Sequence, residues 1–180
     1  KELVFAGMLL SARKIYQGIS WTKNDTEGGL DKRVEKEKKK FAGTELKGKS
    51  LGIIGLGAIG IQVANLALKF SMEVYGYDPF ISIDAAWNLS RSVKHAKSLT
   101  DIYKNCDYIS VHVPLNDKTR HMIDEKAISE MKEGVHLLNF ARGELIADQD
   151  VIAAIENGKV STYVTDFPND ALAAVEQVIT

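Results

Sequence analysis

Leu51-Gly52-Ile53-Ile54-Gly55-Leu56-Gly57-Ala58-Ile59-Gly60 is the stretch on which the fold turns. Its first residues are apolar without a polar face, the pattern of a strand buried on both sides of a parallel sheet. The rest fits G-x-G-x-x-G, and a helix is expected to follow over 59–70. Alone, that motif is weak; between a buried strand and a helix it has a mechanism. Gly55 permits a tight turn, Gly57 lets backbone approach a diphosphate, and Gly60 lets the helix pack closely on the strand. Ala58 and Ile59 complete the loop, whose free N–H groups and helix dipole favour an anion. Asp78 comes about 20 residues later, just after a second strand over 73–77 that Pro79 helps to end. A carboxylate there can accept hydrogen bonds from both hydroxyls of an adenosine ribose. It also repels a 2′-phosphate, so NAD is expected rather than NADP.

Outward from this loop, strands and helices alternate. Strands are expected near 92–96, over 108–113 before Pro114, over 135–140 and, last, over 161–165. Helices are expected over 99–105, 124–132 and 148–157. Such alternation implies the α/β class: a Rossmann-type, doubly wound parallel sheet in three α/β/α layers with right-handed crossovers. Upstream, residues 2–17 are apolar on nearly every side, with Leu3, Ala6, Leu10 and Phe5, Leu9, Ala12 at helical spacing. A helix of that kind must be covered on both faces. Its own domain can cover one face and a second subunit the other. Residues 22–49 read as an irregular, charged connection. Its run of mixed charge over 31–40 is expected to be a solvated face, not a phosphate site.

With 180 residues, 45% hydrophobic and 26% charged, the chain suits one globular domain. A net charge of -1 suggests no nucleic-acid or membrane partner. Cys106, the only cysteine, can form neither an internal disulfide nor a cysteine metal cluster, in keeping with a cytoplasmic protein and no metal site. The apolar run Leu3 to Leu10 lacks a cleavage pattern and is followed by Arg13-Lys14, so it reads as a helix and not a leader. The chain begins inside that helix. Residues 1–180 are accordingly expected to be a cofactor-binding domain whose substrate domain lies outside this chain.

Beyond the glycine loop, three stretches carry a family resemblance: Glu45-Leu46-Lys47-Gly48-Lys49, Val111-His112-Val113-Pro114-Leu115-Asn116-Asp117-Lys118-Thr119 and Asn139-Phe140-Ala141-Arg142-Gly143-Glu144. Together they resemble the signatures of the D-2-hydroxyacid dehydrogenase family, NAD-dependent oxidoreductases that move a hydride between NAD and a small 2-hydroxy or 2-oxo acid. Tyr163-Val164-Thr165-Asp166-Phe167-Pro168 and Asp84-Ala85-Ala86-Trp87-Asn88-Leu89-Ser90-Arg91 resemble its phosphoglycerate dehydrogenase branch. That implies 3-phosphoglycerate as substrate and a place in serine biosynthesis. Lactate- or glyoxylate-type enzymes of the family are the near alternative, and an NAD-sensing corepressor of the same architecture is the non-enzymatic one.

The resemblance implies a homodimer through residues 2–17 and the following loop, with which the apolar character of that helix agrees. It also assigns roles. Arg142 is the catalytic residue expected in this chain: it binds the substrate carboxylate and 2-oxygen, and it also lies against the cofactor. A guanidinium suits this work, being always charged and presenting a planar donor fork. Asp166 is implied to bond the nicotinamide carboxamide, Val113, Pro114 and Thr119 to flank the adenosine and ribose, and Phe140 and Ala141 to offer backbone on the nicotinamide side. Ala58 stands where the family commonly has arginine, and Ser71 replaces a usual glycine, a change expected to be harmless. The family's proton-carrying histidine follows the last strand, beyond Thr180. Its usual acid partner would fall at Ala171, with Asp170 one residue early. His112 reads as a satisfied core residue or a neighbour of the adenine, and His95, His121 and His136 as structural or exposed. The chain alone is thus expected to bind NAD(H) without turning over substrate.

Overall fold

Seven parallel strands run through the centre of the molecule in a computed structural model that describes residues 1–26 and 28–180. Helices Glu2–Arg13 (α1), Ile15–Asn24 (α2) and Leu30–Glu37 (α3) precede the first strand, Ser50–Ile54 (β1). Ala58–Lys69 (α4), Glu73–Tyr77 (β2), Ile83–Asn88 (α5), Lys94–His95 (β3), Leu99–Asn105 (α6) and Tyr108–Val111 (β4) follow. Glu125–Glu130 (α7), Val135–Asn139 (β5), Asp148–Glu156 (α8), Val160–Thr165 (β6), Asp170–Ala173 (α9) and Val178–Ile179 (β7) complete the chain. The sheet order is β3-β2-β1-β4-β5-β6-β7. The chain therefore starts at the middle, winds to one edge, returns, and winds to the other. Between β1 and β4 the direction of winding reverses, and there a doubly wound sheet opens a crevice at its carboxyl edge.

Each face of the sheet carries its own core. On one, Ile102, Ile128 and Val151 of α6, α7 and α8 pack with Ile109, Leu137 and Tyr163. On the other, Val4, Phe5 and Met8 of α1 and Val63, Ala64 and Ala67 of α4 pack with Ile53, Val74 and Val164. These are the three expected layers. Local chemistry sets the helix starts: Ser98 and Asp101 form a capping box on α6, and the Asp124 and Asn169 side chains accept from Ala127 N–H and Leu172 N–H. Among the described residues no helix is long and apolar enough to cross a membrane.

Several expectations need correction. The helix over 2–17 is broken at Lys14, which turns left-handed at φ 51 and separates α1 from α2. No glycine marks the break, so apolar spacing alone carried the helix past it. The segment 22–49 is not irregular throughout: it contains α3 and a 3-10 turn over Lys38–Phe41. Its charges do form a solvated face, with Lys38 paired to Glu35 and Lys40 to Glu37. Helix α5 arises where none was expected, its start capped by Ser82, whose hydroxyl accepts from Ala85 N–H. The strand over 161–165 is not the last, because β7 adds beside it in the register Tyr163↔Val178 and Val164↔Ile179. Strand β4 ends at Val111, short of Val113. Finally, Ser71 adopts φ 57. A left-handed residue with a Cβ costs about 1 kcal/mol, so losing the glycine there is not harmless.

Candidate functional site

The glycine loop divides its labour among three positions. Gly55 turns at φ +97, and a Cβ there would stand 2.7 Å from the His112 carbonyl oxygen. Its N–H donates to Tyr77 C=O at 2.9 Å, tying the end of β1 to the end of β2. At Gly60 a Cβ would collide with the Gly55 carbonyl, so α4 approaches β1 as closely as backbone permits. Gly57 differs: its φ is -79, and a Cβ would meet nothing within 4 Å. The space in front of Gly57 is open. Helix α4 starts there without a side-chain cap, and its first hydrogen bond runs from Ile61 N–H to Gly57 C=O at 3.1 Å. Helix geometry leaves the N–H groups of Ala58, Ile59 and Gly60 without intrahelical partners. Amide donors facing open space, with the positive end of a helix dipole behind them, fit the diphosphate of a dinucleotide.

Asp78 sits beside this loop and does more than its position in the sequence suggested. Its Oδ2 accepts from Leu56 N–H at 2.9 Å, and its Oδ1 accepts from Phe80 N–H at 2.8 Å. The carboxylate thus pins the loop to the end of β2 and shapes the turn around Pro79. Each oxygen keeps a free lone pair, so accepting from ribose hydroxyls remains open to it. Leu56 and Phe80 were missed in the sequence because their part is played by backbone N–H groups, which carry no residue signature.

The other expected residues line the same edge. Val113 packs beside Gly55, while the Thr119 hydroxyl donates to Pro114 C=O at 2.7 Å and accepts from Asn116 N–H at 2.8 Å. Thr119 therefore closes the loop after β4, and its hydroxyl is already engaged there. The Phe140 ring packs against Gly7 of α1, which leaves only backbone of Phe140 for the crevice. Arg142 is exposed and its Nη1 donates to Ala141 C=O at 2.6 Å. Asp166 is exposed just past β6. In the sheet, Asn139 pairs with Thr165, so the turn bearing Arg142 and the residue Asp166 emerge from adjacent strand ends. The carboxyl ends of β2, β1, β4, β5 and β6, neighbours in the sheet, thus present Asp78, the glycine loop, Val113-Pro114, Phe140-Ala141-Arg142 and Asp166 along one edge.

Residues 5–179 match the family described as D-isomer specific 2-hydroxyacid dehydrogenase, NAD binding domain. The chain belongs to that family. D-3-phosphoglycerate dehydrogenase of Methanocaldococcus jannaschii is 38% identical over 165 residues, 92% of this chain and 29% of the relative. Hydroxypyruvate reductase of Thermotoga maritima is 42% identical over 124 residues, 69% of this chain and 39% of the relative. Among solved structures, apo D-lactate dehydrogenase from Escherichia coli superposes with a TM-score of 0.81 at 28% identity, covering 99% of this chain and 54% of that one. The NAD-binding domain in hand therefore spans well under half the length of these curated relatives, and about half of the solved enzyme.

Within this dehydrogenase domain two half-buried histidines and the buried cysteine are held in their neutral forms by their surroundings. His112 bonds through Nε2 to the Ser110 hydroxyl at 2.8 Å, and burial pulls its pKa down to about 4. His136 bonds through Nδ1 to the Thr162 hydroxyl at 2.7 Å and stacks on Tyr108 with ring centroids 4.4 Å apart. Burial lowers its pKa to about 4 as well, with Asp107 opposing and Lys49 assisting. Both are half-buried, hydrogen-bonded and neutral at pH 7. Burial likewise pushes the Cys106 thiol up to about 12, which removes it as a nucleophile.

Proposed function

We propose that the protein carrying this domain is an NAD-dependent D-2-hydroxyacid dehydrogenase that interconverts 3-phosphoglycerate and 3-phosphohydroxypyruvate, the entry to serine biosynthesis. The observation that carries the reading is the alignment of Asp78, the glycine loop and Arg142 along one carboxyl edge, after β2, β1 and β5. The choice of substrate is supported by the name of the M. jannaschii relative and by the motif Tyr163 to Pro168. The hydroxypyruvate reductase relative keeps a lactate- or glyoxylate-type substrate as the alternative.

When bound, NAD supplies the hydride acceptor; the chain supplies position and charge. Gly55 makes the turn, and Gly57, Ala58, Ile59 and Gly60 would receive the diphosphate on backbone amides. Because Ala58 brings no cation, that anion is held by N–H groups and helix dipole alone. Asp78 accepts from the ribose hydroxyls, and Pro79, Val113, Pro114 and Thr119 wall the adenosine end. Asp166 accepts from the carboxamide and so fixes which ring face is offered. Arg142 exchanges its bond to Ala141 C=O for the substrate carboxylate, then stabilises negative charge on the 2-oxygen. Residues 1–180 are assigned to the cofactor domain, and the substrate domain and proton-accepting histidine to the rest of the protein. Exposed apolar residues on α1 and α2 support a homodimer, and the single buried cysteine accords with a cytoplasmic setting.

Calorimetric titration of the domain tests the cofactor half of this reading. NAD should bind at least about tenfold more tightly than NADP, a difference of ~1.4 kcal/mol. Equal affinities would remove the role given to Asp78, and no heat with either would remove the function. Turnover of 3-phosphoglycerate against D-lactate and glycolate by the whole protein then selects the substrate.

A further inference from the structure

Asn139 closes β5 and is completely buried, an expensive place for an amide unless its polar atoms have partners. They do. Oδ1 accepts from Ala141 N–H at 3.1 Å, and Nδ2 donates to Arg142 C=O at 2.8 Å. One side chain thereby brackets the turn that carries the guanidinium. Nδ2 also reaches the Tyr163 hydroxyl oxygen, at 3.4 Å. Tyr163 on β6 is completely buried too. Burial raises its pKa, against the opposing pull of the Thr165 hydroxyl and the Asn139 amide, so the phenol stays protonated at neutral pH. Thr165, the sheet partner of Asn139, accepts from Phe167 N–H at 3.2 Å, immediately past Asp166. Phe167 in turn packs on Gly143, where a Cβ would lie 3.2 Å from the Phe167 Cβ.

Polar contacts therefore brace both turns from below: Asn139 ties the Arg142 turn to Tyr163 of β6, and Thr165, paired with Asn139 in the sheet, ties the turn that holds Asp166. Stability alone does not call for them, since a pair of buried polar side chains can be replaced by apolar ones of the same shape at little net cost. What a directional network adds is a fixed geometry. We propose that Asn139 and Tyr163 are positioning residues for the dehydrogenase reaction, holding the Arg142 turn at a set distance from Asp166. The substrate carboxylate and the nicotinamide are then aligned by groups that touch neither. This rests on the assignment of Arg142 and Asp166 made above.

Tyr163→Phe in the whole enzyme deletes one hydroxyl and keeps the ring. The expected result is a fall of about tenfold to hundredfold in kcat/KM for the hydroxy acid, the effect of a small misplacement of an orienting group. The Kd for NADH, read by its fluorescence, should stay within about twofold, because the glycine loop is not disturbed. Tyr103→Phe removes the hydroxyl of another buried tyrosine, on α6, and should leave both quantities unchanged. Should Tyr163→Phe fail to fold, Thr165→Val releases the Phe167 N–H beside Asp166, loosening the other turn of the pair, and must show the same split. Unchanged kcat/KM, or an equal loss in Tyr103→Phe, overturns the proposal and leaves the dehydrogenase reading standing. If the unsubstituted enzyme neither binds NADH nor oxidises a hydroxy acid, both fall together.

Discussion

At Gly57 and Gly60 an added methyl group would meet opposite surroundings, although both residues belong to one loop. At Gly60 it strikes backbone; at Gly57, with an ordinary φ, it enters open space. Gly60→Ala should therefore lower stability by about 2 kcal/mol or more, as backbone cannot yield the way a side chain does. Gly57→Ala should melt like the unsubstituted domain yet lose at least about tenfold in NADH affinity, ~1.4 kcal/mol. Paired thermal melts and fluorescence titrations separate the two; equal melting losses would show that Gly57 serves packing. The sequence motif identifies both glycines but cannot distinguish them, since the distinction lies in what each Cβ would face. Asp78 shows the same limit. Its spacing reveals a carboxylate at the end of β2, while its grip on Leu56 N–H and Phe80 N–H appears only when the chain is folded.

Among the elements, the central strands were the most legible. The stretches Leu51–Ile54 and Leu137–Leu138 are apolar on successive residues because both faces are covered, and such runs leave little else to propose. The edges were not. Strand β7 is two residues long and gains its identity from β6, and α3 hides its periodicity under lysines and glutamates. The first helix was overextended for the opposite reason, since apolar residues continue past the left-handed Lys14. That correction changes what covers what. Leu9 packs on the domain's own core, whereas Ile15, Tyr16 and Ile19 of α2 are 41%, 50% and 47% exposed. A second subunit, if seated there as proposed, meets α2. Ile19→Glu should then convert dimer to monomer in sedimentation without lowering the melting temperature by more than about 2 °C. A persistent dimer would place the contact elsewhere.

For the molecule as a whole, two half-buried neutral histidines, His112 just past β4 and His136 on β5, shape the response to mild acid. His112 and His136 each fall from 6.5 to about 4 on folding, chiefly through burial. The unfolded chain thus binds more protons than the folded one between those values. Stability should be full above about pH 6.5 and decline toward pH 4, by at most ~1.4 kcal/mol per pH unit for each histidine. Urea midpoints at pH 7.5 and 5 measure this, and the pH 5 midpoint must be the lower; coincident midpoints would mean that neither ring is held neutral. The sheet beside these rings also finishes unusually at its β3 margin. Only Lys94 and His95 form the outermost ladder there, with the lysine ammonium paired to Glu73 on the next strand. So short and so charged a border offers a foreign strand almost no rungs to join. The domain can accordingly be crowded on that side without seeding fibrous assembly, and a partner arriving from there must come to helices or loops.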